Sequence, residues 1–85
     1  MGPWTYVLDE AAFHFFLSRS AVERRKLAAA FEQLRANPHR EADYFCKDAT
    51  GRTLNVCGFR PFLVTFWRDE FVSEIRIVNI QWIRF

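Results

Sequence analysis

Eighty-five residues make one domain at most, 1–85, near the lower limit for an independent hydrophobic core. Half of them are apolar and 18% are aromatic, ten being phenylalanine, which excludes a disordered chain and leaves apolar surface for a partner. The net charge of +2 does not by itself point to nucleic acid, although ten of the 12 basic residues are arginines, suited to bidentate contacts with phosphate or carboxylate.

The opening "MGPWTYVLDEAAF" lacks the basic start and small-residue cleavage site of a signal peptide, and no apolar run reaches membrane-spanning length. An intracellular, cytoplasmic protein is expected. "WTYVL", residues 4–8, is a short β-rich run that reads as a strand. Asp9 is placed to cap the next segment, "EAAFHFFLS", a short helix with Phe13 and Phe16 facing one way. Ser20 and Glu23 have the spacing of a capping box. They open a second helix, from about Ala21 to Asn37, with Leu27, Phe31 and Leu34 on its buried stripe and Asn37-Pro38 as its stop. Two helices joined this tightly form an antiparallel αα-hairpin.

From Asp43 the period changes to two. Strands are expected at about 43–47, 52–57, 61–68 and 72–82, joined by "DATG", "GFR" and "DEF". The fold class is therefore α+β, an N-terminal strand and an αα-hairpin packed on a four-stranded antiparallel meander. Pairing Phe66 with Ile75 puts Phe45, Leu54, Val56, Phe62, Val64, Phe66, Ile75 and Ile77 beneath the helices. The other face then carries Thr53, Asn55, Thr65, Trp67 and Arg76, with Leu63, Val78, Ile80 and Trp82 beyond. That face is either an ordinary solvated sheet surface or a binding surface.

The cysteines are poorly placed for each other. With Asp48 opposite Gly51, Cys46 faces Thr53, and Cys57 lies roughly 13 Å further along the strand. No disulfide is expected, and two cysteines without histidine neighbours make no zinc site. His14, among phenylalanines, and His39, beside Pro38, have no carboxylate or nucleophile at a telling spacing.

The arginines are the sharper signal. Arg60 sits at the mouth of a strand, before Pro61. A lone turn arginine is ordinarily solvated. With Arg76 opposite Thr65, however, Arg60 and Arg76 converge on one phosphate, as groups that hold a phosphodiester and stabilise its developing charge would do. Lys47 and Arg52 flank the "DATG" turn and add positive charge. The run "ERRK" opens the second helix, where cations gain nothing from the macrodipole, and reads first as a solvated helix face.

A strand, an αα-hairpin ending in "LRANP", and a meander carrying "GRTLNVCGFRPFLVTFW" and "EIRIVNI" resemble the RelE/ParE superfamily of bacterial toxins. These belong to type II toxin–antitoxin modules and are often described as plasmid stabilisation proteins. The resemblance covers nearly the whole chain and rests on order and spacing rather than on one motif. It implies the toxin of such a module, a ribosome-dependent mRNA endoribonuclease (an mRNA interferase) that needs no metal or cofactor because the RNA 2′-hydroxyl attacks the neighbouring phosphate. Arg60, after Phe59, falls where the RNase branch has an arginine. Arg76 or Arg84 falls where it has a second one. The resemblance thus makes Arg60 and Arg76 catalytic candidates, with Lys47, Arg52 and Arg84 binding RNA. It implies a cognate antitoxin as partner, with Leu63, Val78, Ile80 and Trp82 as a docking surface. Two departures stand out: "NIQWIRF" has no tyrosine or histidine to carry a proton, and Pro61 follows the arginine. The alternatives are a ParE-type inhibitor of DNA gyrase and an inactive relative that only binds antitoxin.

Overall fold

The computed structural model describes residues 3–84; the domain expected over 1–85 extends beyond them at both ends. Seven elements follow in order: β1 (Thr5–Leu8), α1 (Glu10–Leu17), α2 (Ala21–Ala36), β2 (Tyr44–Lys47), β3 (Thr53–Phe59), β4 (Phe62–Asp69) and β5 (Glu74–Trp82). The strands form one sheet in the order β1-β5-β4-β3-β2. The C-terminal four make the expected antiparallel meander. The N-terminal strand extends it to five by lying parallel to β5, with Tyr6 beside Ile75 and Leu8 beside Ile77. A parallel neighbour needs a long crossover, and the meander's own length supplies it.

Both helices pack on one side of this sheet. Ala12, Leu27, Phe31 and Leu34 from the helices meet Cys57, Phe62, Val64, Phe66, Ile75, Ile77 and Ile80 from the strands. The Ser20–Glu23 capping box forms: Ser20 Oγ accepts from the Glu23 backbone N–H and Glu23 Oε1 from that of Ser20. Ser20→Ala is expected to lower stability by about 1 kcal/mol, measured by urea unfolding. The bond from the Ser20 backbone holds the Glu23 carboxyl below its ordinary pKa. Its contribution is therefore full above the unfolded-state pKa and lost as pH falls through the lower folded value. Acid titration followed at the Glu23 backbone amide by NMR should place that loss below the ordinary carboxylate range.

Three local features differ from the sequence reading, each for a geometric reason. Asp9 takes the cap position of α1, but its side chain makes no cap bond, because Oδ1 accepts from Arg76 at 3.1 Å. The β3–β4 connection has two residues, Arg60 and Pro61, not three, since Phe59 pairs with Phe62; the Arg60–Pro61 peptide is cis. This reverses the facing of β3, so that Asn55 and Cys57 point with Phe66 and Val64 toward the helix side while Leu54 and Val56 turn away. Third, Thr65 pairs with Asn79 but Phe66 with Ile77, leaving Val78 as a β-bulge. Beyond the bulge the alternation inverts.

That inversion divides the residues expected to form a docking surface, Leu63, Val78, Ile80 and Trp82. Ile80 is 3% exposed in the core, whereas Trp82 stays 38% exposed and packs on Phe62 at 4.8 Å on the helix side. Leu63 and Val78 are half-buried. Two neighbouring registers also move: Cys46 pairs with Leu54, and Phe66 with Ile77 rather than Ile75. Both cysteines are free, and burial pushes the Cys57 thiol pKa up, which leaves it a protonated core residue. No helix among the described residues is long and apolar enough to cross a membrane.

Candidate functional site

The β3–β4 turn carries Arg60 to one end of the sheet, and β5 brings Arg84 there as well. The tie is a backbone bond in which the Ile83 N–H donates to the Pro61 carbonyl at 2.8 Å. The residues flanking both arginines are thus hydrogen-bonded across strands, which holds the two backbones side by side. Arg60 and Arg84 are both exposed.

Two further arginines, absent from the sequence reading, reach the helix side of the same end. Phe59, Phe62 and Trp82 lie in one row there, since Phe59 pairs with Phe62 and Phe62 with Trp82. Phe15 from α1 stands edge-on to Phe62 and Trp82, with centroids 6.0 Å from each. The Arg19 guanidinium lies 4.5 Å from the Phe15 ring and 5.1 Å from Trp82, and Arg40 lies 5.0 Å from Phe59. Arg24 donates to the Arg19 carbonyl, closing the α1–α2 turn. Stacking on aromatic faces holds a guanidinium while leaving its in-plane donors for an anion. The Arg19 Nε–H is buried without a partner. Among the described residues no carboxylate pairs with Arg19, Arg24, Arg40 or Arg84, in contrast to Arg35, Arg68 and Arg76. No sequence pattern marks Arg19 or Arg40, because their ring contacts join distant parts of the chain.

Arg76 lies elsewhere. It pairs with Trp67, five residues along β4 from Phe62, which places it roughly 17 Å from the Arg60 turn. The two arginines therefore do not converge. Arg76 instead donates to Asp9 Oδ1 at 3.1 Å and to Glu74 Oε1 at 3.0 Å. Burial works against its charge, but these two carboxylates outweigh it and raise the guanidinium pKa further. The Asp9 bond joins the β1–α1 corner to β5, alongside the Asp9 N–H to Ile77 carbonyl bond at 2.8 Å. Arg76→Met should loosen that corner. Hydrogen exchange at the Asp9 amide is expected to rise about fivefold, as a loss of ~1 kcal/mol of local stability implies for a half-exposed pair.

Lys47 and Arg52 gather at the opposite end of the sheet. Lys47 Nζ donates to Thr53 Oγ1 at 3.1 Å, and the Arg52 guanidinium sits 4.0 Å from the Trp67 ring. The turn between β2 and β3 is fixed by Asp48, whose Oδ1 accepts from the Thr50 hydroxyl, the Thr50 N–H and the Arg52 N–H. The Thr50 hydroxyl bond is the chief reason its carboxyl pKa is held down. Gly51 takes φ +85° there, a region other residues avoid. Beside this turn an open pocket of about 340 Å³ is lined by Arg52, Thr53, Asn55, Trp67, Arg68 and Glu70. A second, apolar cleft of about 200 Å³ lies between β1 and the helices, lined by Tyr6, Leu8, Phe13, Phe16, Ala28 and Phe31. Among the described residues no cluster of histidine, cysteine or carboxylate side chains could hold a metal ion.

No protein-family model matches this chain, and no curated protein matches it. Among solved structures it is similar to the archaeal RelE–RelB complex from Pyrococcus horikoshii OT3. The TM-score is 0.73 at 13% identity, over 95% of this chain and 96% of that one. At that identity the likeness concerns the backbone path, and over nearly the full length of both chains it is close: the chain has the RelE fold.

Proposed function

We propose that this protein is the toxin of a type II toxin–antitoxin module and acts on translation by cutting mRNA on the ribosome. The observation that carries the reading is the RelE fold together with the two arginines that the Ile83–Pro61 bond seats at one sheet end. Arg60 and Arg84 would grip the phosphates flanking the scissile bond and stabilise charge on the phosphorane. The RNA 2′-hydroxyl is the nucleophile, so the protein's part is to orient the chain and the leaving oxygen. Arg19 and Arg40, held on the aromatic row behind them, extend the positive surface along the RNA backbone. Arg76 serves the site indirectly in this reading, by securing the β1–α1 corner.

The partner is a cognate antitoxin, as the solved complex pairs RelE with RelB. An amphipathic antitoxin segment has apolar surface to cover in the β1–helix cleft, where Phe13 is 48% exposed. The deciding experiment is a bacterial cell-free translation reaction with the purified protein, its template mapped by primer extension. Cuts within codons that require ribosomes support the reading. An intact template with DNA breaks in expressing cells would replace it with gyrase inhibition. An intact template with undisturbed synthesis would leave a binding protein.

A further inference from the structure

In the β4–β5 turn Phe71 is fully exposed, and Val72 beside it is 62% exposed. Lone apolar residues on a surface are common, but this pair is held in place. The Phe71 N–H donates to Asp69 Oδ1 at 3.2 Å, and the Ser73 carbonyl accepts from the Thr5 N–H at 3.1 Å. Ser73 takes φ +52°, a region that residues other than glycine enter sparingly. A ring presented on a fixed turn loses little freedom when a partner covers it. A receptacle of matching chemistry lies on the same edge of the molecule. Thr5 opens β1, and Tyr6 and Leu8 on that strand line the apolar cleft of about 200 Å³ against the helices. Its walls are rings already: Phe31 stands 5.3 Å from Tyr6 and 6.1 Å from Phe16. An apolar cavity of roughly 150 Å³ stays dry and takes benzene, so this cleft accommodates a phenylalanine ring. Aromatic rings also gain from meeting edge-on or offset.

Charge favours the same occupant. Asp69 and Glu70 lead into the turn, whereas Arg24 and Arg25 precede Ala28 of the cleft by about one helical turn. Arg25 is exposed and in no ion pair among the described residues, while Glu32, one turn after Ala28, is neutralised by Arg35. Such charges set partner and register more than they add affinity. An acidic apolar tip and a basic-rimmed apolar cleft on one edge suit a two-fold contact, in which each copy offers both halves. We propose that two copies of this chain associate about a two-fold axis, Phe71 of each entering the other's cleft among Tyr6, Phe13 and Ala28. A phenylalanine carries about 150–250 Å² of surface. Two such rings and their rims fall short of the ~1,600 Å² of a standard stable interface, so the dimer is weak and reversible. The cleft is also the surface assigned above to an antitoxin segment, so self-association and antitoxin binding exclude each other.

The test is sedimentation equilibrium of the full chain from about 10 μM to about 1 mM, at low and at high salt. The apparent mass is expected to rise from that of one chain toward about twice that value, with the half-way concentration several-fold higher in high salt. Phe71→Ser, a change at a fully exposed side chain, should hold the protein at one copy throughout. Ala28→Met, which fills the cleft from within, should do the same through the other half of the contact. Mixing the two variants should restore part of the association, because one keeps its cleft and the other its Phe71. In a mixture of labelled and unlabelled chains, isotope-filtered NMR should show the Phe71 ring against the Ala28 methyl of the other copy. A chain that stays single to ~1 mM would overturn the proposal and leave the cleft to an antitoxin segment. Dimers that persist in Phe71→Ser would overturn it in favour of another surface, and growth past two copies would overturn the two-fold contact. Neither RNA nor ribosomes enter this measurement, so its failure leaves the translation experiment untouched, and the converse holds.

Discussion

Arg60→Ala is expected to lower ribosome-dependent cleavage of the template about 100- to 1,000-fold, the usual consequence of removing one preorganised donor from a developing anion. The turn fixes the Arg60 backbone through Phe59 pairing with Phe62 and through the Ile83–Pro61 bond, so truncating an exposed side chain should leave the fold intact. Lysine at the same place should recover only part of the activity, because a point charge does not reproduce the planar fork. Arg84→Ala should fall in the same range if both arginines grip the same phosphodiester, and the double variant should be far less than additive. Arg76→Met is the control. Its guanidinium is already committed to Asp9 and Glu74, so its effect should follow loss of stability at the β1–α1 corner rather than the chemical step. Equal activity of wild type and Arg60→Ala, with both folded, would remove the phosphate-gripping role from this turn.

Much of this architecture was legible because local signals agreed with one another. The Ser20–Glu23 box, the Leu27–Phe31–Leu34 stripe and the Asn37-Pro38 stop all point to one helix, and α2 runs from Ala21 to Ala36. The change to period two after Asp43 places the four C-terminal strands to within a few residues. What was not legible is what depends on counting across a turn or an irregularity. A two-residue connection and a three-residue one look alike in "CGFRPF", yet they send Asn55 to opposite faces. Likewise nothing in "RIVNIQW" marks Val78 as the bulge, although it decides on which face of the sheet Ile80 and Trp82 lie. Arg60 could be singled out because its oddity is local, a cation beside a proline at a strand end. The ring-held Arg19 and Arg40 could not, since each owes its character to residues distant in sequence.

Phe62→Ala should be among the most damaging single changes in the molecule, costing about 3–5 kcal/mol. A chain of 85 residues has roughly 4–13 kcal/mol of stability in total, so this variant is expected to be largely unfolded or to melt at least ~12 °C lower by circular dichroism. The size follows from its surroundings: Phe62 is fully buried, 4.8 Å from Trp82 and 6.0 Å from Phe15, in a row that cannot collapse without moving two strands and a helix. The informative partner is Phe62→Leu, which keeps most of the volume and should cost less than about 1.5 kcal/mol. Phe62 begins the strand that Arg60 and Pro61 lead into, and its ring supports Phe15 and Trp82, on which Arg19 rests. Loosening that ring should blur the positions of Arg60, Arg84 and Arg19 together, because the β3–β4 turn, the end of β5 and the rings that hold Arg19 all pack around it. Phe62→Leu is therefore expected to lose activity out of proportion to its stability, whereas Leu27→Met, an equally buried change away from the turn, should not. If the two variants lose activity in step with stability alone, the aromatic row is only core, and the arginines are placed by the backbone bonds of the turn.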